Sequence, residues 1–207
     1  MNLTDKLNAG LHALGFDDIQ ACSPRFLDYL ALLAKWNKVY NLTAVRDVER
    51  MLTQHLLDSL AVLPYIKGAS LLDVGSGAGL PGIPLAIALP EMHVTLLDSN
   101  HKKTAFLQQA CIELKLINVS VVSERVETWQ PPSKFDIVIS RAFSDLAAFA
   151  KLAGHLCAPG GAMLAMKGVY PHEEAGLLPA HVVIEQIVPL KVPALEAERH
   201  LVVMRVA

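Results

Sequence analysis

The segment that most constrains the fold is a glycine-rich turn placed between a short apolar strand and a helix. Residues 71–82 read LLDVGSGAGLPG. Glycine adopts positive φ at little cost and lets a ligand approach the backbone closely. The first N–H groups of the following helix are free to bind a polar or anionic group. This arrangement predicts an α/β fold with a nucleotide or cofactor site at the turn.

The spacing of the glycines separates the possible ligands. A dinucleotide fingerprint, G-x-G-x-x-G, needs a third glycine where the chain has Leu80, and no G-K-[ST] follows for a phosphate-binding loop. The observed pattern, D-x-G-x-G-x-G from Asp73, is the form found in methyltransferases. Asp98 closes the next strand-like run, where its carboxylate can accept both ribose hydroxyls of a cofactor. We therefore predict that S-adenosylmethionine is bound by Asp98 and by the three glycines Gly75, Gly77 and Gly79.

From residue 70 onward, strand-like and helix-like segments alternate, which predicts a parallel sheet covered by helices. The last two strand-like runs are joined without a clear helix, which favours an antiparallel hairpin. The predicted class is therefore a class I methyltransferase domain with a mostly parallel, seven-stranded, Rossmann-like sheet over 66–207. The predicted strands are 70–74, 93–98, 119–123, 135–140, 162–166, 182–190 and 200–206, and the predicted helices are 82–89, 101–115 and 144–156.

Residues 1–65 are predicted to form a helical N-terminal extension. Leucines from Leu27 to Leu33 recur at helical spacing, and Ser23-Pro24 is typical of a helix start. A second helix is expected over 48–63. Within it His55 and Asp58 lie one turn apart, and we expect them to form a hydrogen-bonded pair rather than a metal site, since no third ligand is evident.

The composition limits which binding partners and which cellular compartment we expect for this chain. The net charge of −2 gives no support for nucleic-acid binding by charge alone, so any RNA contact must be local. The apolar stretches are interrupted by prolines and charges, and the N-terminal segment lacks an apolar signal region. The three cysteines are widely spaced, which argues against disulfides and zinc. We expect a soluble, cytoplasmic monomer that binds no membrane and no metal.

Several motifs resemble the bacterial family of small-subunit rRNA methyltransferase G, also called glucose-inhibited division protein B. They are WNKVYNLT at 36–43, HLLDSL at 55–60, DVGSGAGLPGIPLA at 73–86, ISRAF at 139–143 and ERH at 198–200. The resemblance covers essentially the whole chain. It implies methylation of N7 of one guanine in the decoding region of 16S rRNA. The sequence leaves three substrate forms open: the free RNA, the small ribosomal subunit and an assembly intermediate.

The same resemblance implies cofactor contacts beyond the glycine turn. Leu80 would line the cofactor pocket together with Gly75. Val126 and Glu127, beyond the third strand, would meet the adenine. Arg141, at the end of the fourth strand, would face the reactive end of the cofactor, consistent with ligand binding at the carboxyl ends of parallel strands.

The sequence after the fourth strand bears on the acceptor atom. Enzymes that methylate exocyclic amines carry an Asn/Asp-Pro-Pro-aromatic motif there, whereas this chain has Ser140-Arg141-Ala142-Phe143. Guanine N7 has a free lone pair, so no general base is needed and catalysis reduces to positioning. We therefore expect Arg141 to be the catalytic-site residue, as an orienting group. An arginine forked onto O6 and N7 would cover the acceptor, so any contact should go to O6 or a phosphate.

Candidate contacts to RNA are aromatic and basic. Phe143 and Tyr40 could stack on an unpaired base, and Tyr170 is a further aromatic candidate. The predicted phosphate contacts are Lys102, Lys103, Lys167 and Arg199, with Lys35, Lys38, Arg46 and Arg125 as weaker candidates. Arg199 could instead pair with Glu196 or Glu198.

Three alternatives remain open from the sequence. The chain could methylate a small molecule or a protein. It could keep the cofactor fold as a binding scaffold without turnover, because fold does not fix function. A nicotinamide oxidoreductase is the third alternative, although Leu80 in place of a glycine argues against it.

Overall fold

A seven-stranded mixed sheet forms the centre of the molecule in the computed structural model, which describes residues 2–143, 145–170 and 174–206. The strand order is β3-β2-β1-β4-β5-β7-β6. Neighbouring pairs among β1 to β5 are parallel, whereas β7 is antiparallel to both β5 and β6. This confirms the predicted fold class. The strands are β1 (Ser70–Val74), β2 (His93–Leu97), β3 (Val119–Val122), β4 (Phe135–Ser140), β5 (Cys157–Lys167), β6 (Val182–Pro189) and β7 (His200–Val206).

Alternate residues along the central strands point to opposite faces of the sheet, and each face has its own apolar core. In β1, Leu71 belongs to the core beneath the N-terminal helices, whereas Leu72 belongs to the core on the opposite face. Both side chains are fully buried. The near-continuous apolar runs of these strands therefore reflect burial on both faces.

The predicted C-terminal hairpin is present, but its second strand lies inside the sheet. Strand β7 pairs with β5 as well as with β6, so that β6 forms the edge. Strand β5 is also longer than predicted and includes Gly160 and Gly161, next to an irregularity in its pairing with β4. A glycine within a strand often marks such an irregularity, and the two glycines obscured the strand in the sequence pattern.

The helices that cover the sheet follow the predicted order. They are α5 (Gly82–Ala88), α6 (His101–Glu113) and α7 (Leu146–Ala153). The side chain of Asn100 accepts the backbone N–H groups of Lys102 and Lys103 and so defines the start of α6. Asp145 caps α7 in the same way by accepting the N–H of Ala148. No helix within the described residues is both long and apolar enough to cross a bilayer.

The N-terminal extension contains α1 (Leu3–Ala13) and α2 (Ser23–Tyr40), followed by a composite helix. Asn41, at φ 50°, ends α2 in a left-handed conformation. The predicted helix over 48–63 is not continuous: it consists of α3 (Val48–Met51), a π-helix (Leu52–Leu57) and α4 (Asp58–Leu60). π-Helical turns are rare in proteins, and a large share of those that occur are at functional sites. A short 3₁₀ turn (Leu63–Tyr65) then leads to the sheet.

The helical extension and the sheet share one apolar core. Fully buried Leu30 and Leu33 of α2 pack in the same cluster as Leu71 of β1 and Ile83 of α5. Tyr29 is also fully buried, and its hydroxyl donates a 2.7 Å hydrogen bond to the carbonyl of Ala78 in the glycine turn. We propose that residues 1–65 and 66–207, although distinct in pattern, fold as one unit.

The Tyr29 hydroxyl provides a test of this connection. Tyr29→Phe keeps the ring but leaves the buried Ala78 carbonyl without its donor, which costs about 1–3 kcal/mol. We expect a lower free energy of unfolding in urea and weaker binding of S-adenosylmethionine, because the glycine turn loses a support. The matched control is Tyr65→Phe, since the hydroxyl of Tyr65 bonds to no described residue. Equal effects of the two changes would contradict the proposed support.

Candidate functional site

The carboxyl edge of the sheet carries two adjacent cavities, separated by the residues that follow β4. The first has a volume of about 190 Å³ and brings together residues from the ends of β1, β2, β3 and β4. Six predicted site residues line it: Gly75, Asp98, Arg125, Val126, Glu127 and Phe143. Residues that lie far apart in the sequence thus meet at one place, as the rule for ligand sites in parallel sheets predicts.

Asp98 is held rigidly at the edge of this first cavity. Its Oδ2 accepts the N–H of Gly77 at 2.9 Å, and its Oδ1 accepts the N–H of Asn100 at 2.9 Å. The side chain is 7% exposed, and the amine of Lys103 lies 3.7 Å from Oδ2. Each carboxylate oxygen can accept more than one hydrogen bond, so both retain acceptor capacity for a ribose hydroxyl. The fit to the ribose of S-adenosylmethionine is good.

The glycine turn approaches the first cavity closely at Gly75, which has no side chain. Gly75 has φ 70°, and a Cβ added there would lie 2.8 Å from the Cβ of Ala142. Any larger residue would both strain the backbone and close the space between β1 and β4. Gly82 is needed for a different reason: an added Cβ would clash with the side chain of Leu96 and press on Oδ2 of Asp73, which accepts the Gly82 N–H at 2.9 Å.

Asp73 is a buried carboxyl group behind the turn. It is fully buried, and its Oδ1 makes no hydrogen bond with the described part of the chain. Burial raises the pKa of Asp73 to about 7, opposed by the Gly82 N–H and by the charge of Arg141. The carboxyl group is therefore partly protonated near neutral pH, which lowers the cost of burying it.

The second cavity, of about 340 Å³, is basic. It is lined by three predicted site residues, Arg141, Lys167 and Arg199, and by residues of the π-helix and α4. Lys167 pairs at 2.8 Å with Glu174. Arg199 directly precedes β7, whose first residue pairs in register with Lys167. The remaining lining residues are Gln54, His55, Asp58, Met166 and Gly168.

Asp58 is the acidic centre of this basic cavity. Its Oδ2 lies 3.2 Å from Nη1 of Arg141 and its Oδ1 lies 2.9 Å from Nε of Arg199, while the carboxylate is only 2% exposed. The expected His55–Asp58 pair is therefore wrong. His55 lies in the π-helix and Asp58 begins α4, and the two side chains bind different partners. The expected pairing of Arg199 with Glu196 or Glu198 is also wrong. The carboxylate that Arg199 binds is that of Asp58, and Glu198 contributes its backbone carbonyl.

His55 is tied to the connector between α2 and α3. Its Nε2 lies 2.7 Å from Oγ1 of Thr43. The side chain of Asn37 accepts the N–H of Thr43 and donates to the carbonyl of Val45, which folds the connector. Burial and the nearby Arg141 lower the pKa of His55 to about 4, so the imidazole is neutral at pH 7. The motif at 36–43 thus fixes the position of His55, which lines the second cavity.

Ser140 positions the segment between the cavities. Its hydroxyl donates to the carbonyl of Val74 at 2.7 Å and accepts the N–H of Ala142 at 3.1 Å. The ends of β1 and β4 are therefore joined just before Arg141. The guanidinium of Arg141 also donates to the carbonyl of Gln54 at 3.3 Å, so it points toward the second cavity.

The other predicted site residues lie around these cavities. Leu80 does not line the first cavity, contrary to the pocket contact that the resemblance implies, because its side chain is buried in the core shared with the N-terminal helices. Phe143 lies on the side of the first cavity, where its ring packs 5.2 Å from that of Phe149. Tyr40 is stacked on Trp36, which contacts Phe106 of α6.

Lys102 and Lys103 begin α6, close to the first cavity. The N-terminal part of α2 lies against the C-terminal end of α6, where Arg25 donates to the carbonyl of Leu114. The two helices therefore run antiparallel, and Tyr40 lies at the same end as the two lysines. Lys102 is exposed, whereas Lys103 faces Asp98.

Two of the three cysteine thiols are shielded from nucleophilic chemistry by burial. Burial raises the pKa of Cys111 and that of Cys157 to about 11, which keeps both thiols protonated and unreactive. Cys157 begins β5, at the opposite edge of the sheet. In the described ranges, His, Cys, Asp and Glu form no group of three that could hold a metal ion.

Asp98 and Asp136 form a matched pair for testing the first cavity. Both carboxylates accept two backbone N–H groups, but Asp136 lies at the opposite edge of the sheet. Asp98→Asn should weaken binding of S-adenosylmethionine roughly tenfold to hundredfold, because charge-assisted hydrogen bonds to the ribose are lost. Asp136→Asn should leave the affinity unchanged. Isothermal titration calorimetry measures both, and unchanged affinity in Asp98→Asn would refute the ribose assignment.

The raised pKa of Asp73 predicts a dependence of stability on pH. The folded protein holds this proton more tightly than the unfolded chain, whose carboxyl has the ordinary pKa of 3.8. The stabilisation is full below pH 3.8 and is lost as the pH rises through about 7. Asp73→Asn cannot lose a proton there, so its free energy of unfolding should rise relative to wild type between about pH 5 and about pH 8.

Urea denaturation of the cofactor-free protein across that pH range provides the measurement. Asp28→Asn, at an exposed position of α2, is the control and should leave the pH profile unchanged. Parallel profiles for wild type and Asp73→Asn would show that Asp73 ionises normally.

The fold is shared with methyltransferases of known structure. The chain is similar to the O-methyltransferase TomG from Streptomyces achromogenes in complex with SAM, at TM-score 0.60 and 17% identity over 86% of this chain and 89% of that one. It is also similar to the N-methyltransferase NodS from Bradyrhizobium japonicum in complex with S-adenosyl-L-homocysteine, at TM-score 0.58 and 14% identity over 84% and 98%. These likenesses show the class I methyltransferase fold.

Sequence relatives are much closer. The ribosomal RNA small subunit methyltransferase G of Laribacter hongkongensis is 57% identical over 98% of both chains. The protein of the same name from Nitrosospira multiformis is 56% identical over 99% of this chain and 98% of the relative. The family profile of rRNA small subunit methyltransferase G matches residues 23–202. The resemblance found in the sequence motifs is thereby confirmed, and the chain belongs to the rRNA small subunit methyltransferase G family.

Proposed function

We propose that this chain transfers a methyl group from S-adenosylmethionine to N7 of a guanine in 16S rRNA. One observation carries the proposal: the residues after β4 separate a cavity suited to a nucleoside from a basic cavity suited to RNA. Family membership and fold identify the chain as an S-adenosylmethionine-dependent methyltransferase.

We assign the cofactor to the first cavity, whose lining includes Gly75, Asp98, Val126 and Glu127. The glycine turn allows close approach at Gly75, Asp98 accepts the ribose hydroxyls, and Val126 and Glu127 meet the adenine. Gly77 contributes by fixing Asp98 through its N–H, and the φ of 83° at Gly79 requires glycine in the turn. When bound, S-adenosylmethionine supplies an electrophilic methyl group on a cationic sulfur.

The chain's own residues orient the acceptor and remove no proton. The N7 lone pair of guanine forms the new bond to carbon as the carbon–sulfur bond breaks, and the positive charge passes from sulfur to the base. Consequently no general base is needed, and the site is consistent with this: His55 is buried, neutral and bonded to Thr43. Alignment of reacting atoms can supply about 7–11 kcal/mol of the barrier.

Arg141 is the residue that we assign to orientation at the reacting centre. It directly follows β4 at the boundary between the cavities: Arg141 lines the second cavity, and the next residue, Ala142, lines the first. Lys167 and Arg199 share the second cavity with it and are proposed to contact the RNA. Lys102, Lys103 and Tyr40 lie near the start of α6 and would extend this contact surface past the cofactor cavity.

Phe143 is proposed to border the base rather than to bury itself wholly in the core. It lines the first cavity and is only partly buried.

We further propose that the enzyme acts as a cytoplasmic monomer. Its substrate is 16S rRNA as the free RNA, as part of the small subunit or as part of an assembly intermediate. Light scattering of the purified protein tests the monomer.

Mapping of N7-methylguanine in 16S rRNA tests the proposed function directly. Cells that lack the gene should lose one N7-methylguanine, and the wild-type gene should restore it. Arg141→Gln should restore it poorly, because the orienting guanidinium is lost. In vitro, transfer of the methyl group from labelled S-adenosylmethionine to protein-free 16S rRNA and to unmethylated small subunits identifies the substrate form.

The controls separate the alternatives. Transfer of label to small molecules or protein but not to RNA would support a different methyltransferase. Tight binding of S-adenosylmethionine without transfer to any acceptor would support a scaffold. Binding of NADH in place of S-adenosylmethionine would support an oxidoreductase.

A further inference from the structure

We propose that Asp58 is the positioning residue of a phosphate-binding site in the second cavity, where it holds Arg141 and Arg199 against one phosphate group of the RNA substrate. The inference rests on the proposed function and deepens it. It is carried by the geometry of three side chains that come from separate parts of the chain: α4, the end of β4 and the start of β7.

One carboxylate binds two guanidinium groups. Arg141 approaches Oδ2 at 3.2 Å and Arg199 approaches Oδ1 at 2.9 Å, so each oxygen serves a different arginine. The carboxylate is 2% exposed, whereas the arginine side chains are 27% and 25% exposed. The anchoring group is thus buried, and the anchored groups remain accessible to a ligand.

Each arginine keeps donors that are not used within the described residues. Arg141 uses only Nη1, toward Gln54 and Asp58. Arg199 uses Nε toward Asp58 and Nη1 toward the Glu198 carbonyl. A guanidinium has five N–H donors in one plane, so both groups can donate further hydrogen bonds.

The charge of the cavity favours an anion. Among the described residues, the two guanidinium groups of Arg141 and Arg199 face the single carboxylate of Asp58, so this trio carries one net positive charge, and His55 is neutral at pH 7. The phosphate is the anionic group of RNA, and guanidinium groups match its oxygens in geometry and charge. A phosphate contact also leaves guanine N7 uncovered, as the chemistry requires.

The π-helix provides the shape of this site. It carries Gln54 and His55 and ends directly before Asp58. The Gln54 carbonyl accepts from Arg141, and the His55 ring is fixed by Thr43. The N-terminal extension therefore contributes the support of both arginines, although neither arginine belongs to it.

The test replaces Asp58 and measures the KM for RNA, because the two possible roles of Asp58 predict changes of opposite sign in this KM. Asp58→Asn removes a negative charge from an anion-binding cavity. If Asp58 acted through charge alone, RNA would bind more tightly. If it positions the arginines, the KM for whichever 16S rRNA substrate the wild type methylates should rise about tenfold or more.

Three measurements accompany that KM. Asp28→Asn, an exposed carboxylate, is the matched control and should leave the KM unchanged. Arg199→Gln should raise the KM and reduce the slope of log KM against log salt by about one, as loss of one phosphate contact predicts. In the double variant Asp58→Asn/Arg199→Gln, the effect of Asp58→Asn on KM should shrink, because its partner is already absent.

Arg199→Lys keeps the proposal open to refutation if Asp58→Asn does not fold. It retains the charge but loses the planar fork, so its KM should rise as in Arg199→Gln. A KM equal to wild type in Arg199→Lys, or a lowered or unchanged KM in folded Asp58→Asn, overturns the proposal. Failure of the wild type to methylate 16S rRNA would instead overturn the proposed function itself.

Discussion

The hydroxyl of Ser140 is the contact on which the geometry of the site depends. It joins the end of β4 to the end of β1 by donating to the Val74 carbonyl, and it accepts the N–H of Ala142 in the turn that follows. Because Ser140 is buried, no water competes for these bonds. The segment that carries Arg141 is consequently held between the first cavity and the second cavity, and both cavities keep their walls.

Most of the fold could be predicted because its signals are local. The glycine spacing, the apolar strands and the capping residues each act over a few positions, and the observed strands agree with them. Errors arose where neighbouring elements decide the outcome. Gly160 and Gly161 lie inside β5 because the pairing with β4 is irregular there, and the interior place of β7 depends on which strand edge is free for pairing.

The candidate site was predictable only in part. Asp98 and the glycine turn followed from a motif and a strand end, and Arg141, Lys167 and Arg199 were found through resemblance or charge. The helical spacing singles out Asp58 but predicts the wrong partner, His55. Its actual partners lie far along the chain, and the π-helix that aims it has the same apolar spacing as an ordinary helix. Long-range polar pairing of this kind leaves no periodic trace in a sequence.

The interior position of β7 has a consequence for the order in which the enzyme is completed during synthesis. The ribosome synthesises the chain from the N-terminus, so the residues that line the first cavity leave the ribosome well before Arg199. Until the final strand inserts between β5 and β6, the edge of β5 is bare and Asp58 has only Arg141 as a partner. The second cavity, which receives Arg199 from the start of the last strand, is therefore completed after the first cavity.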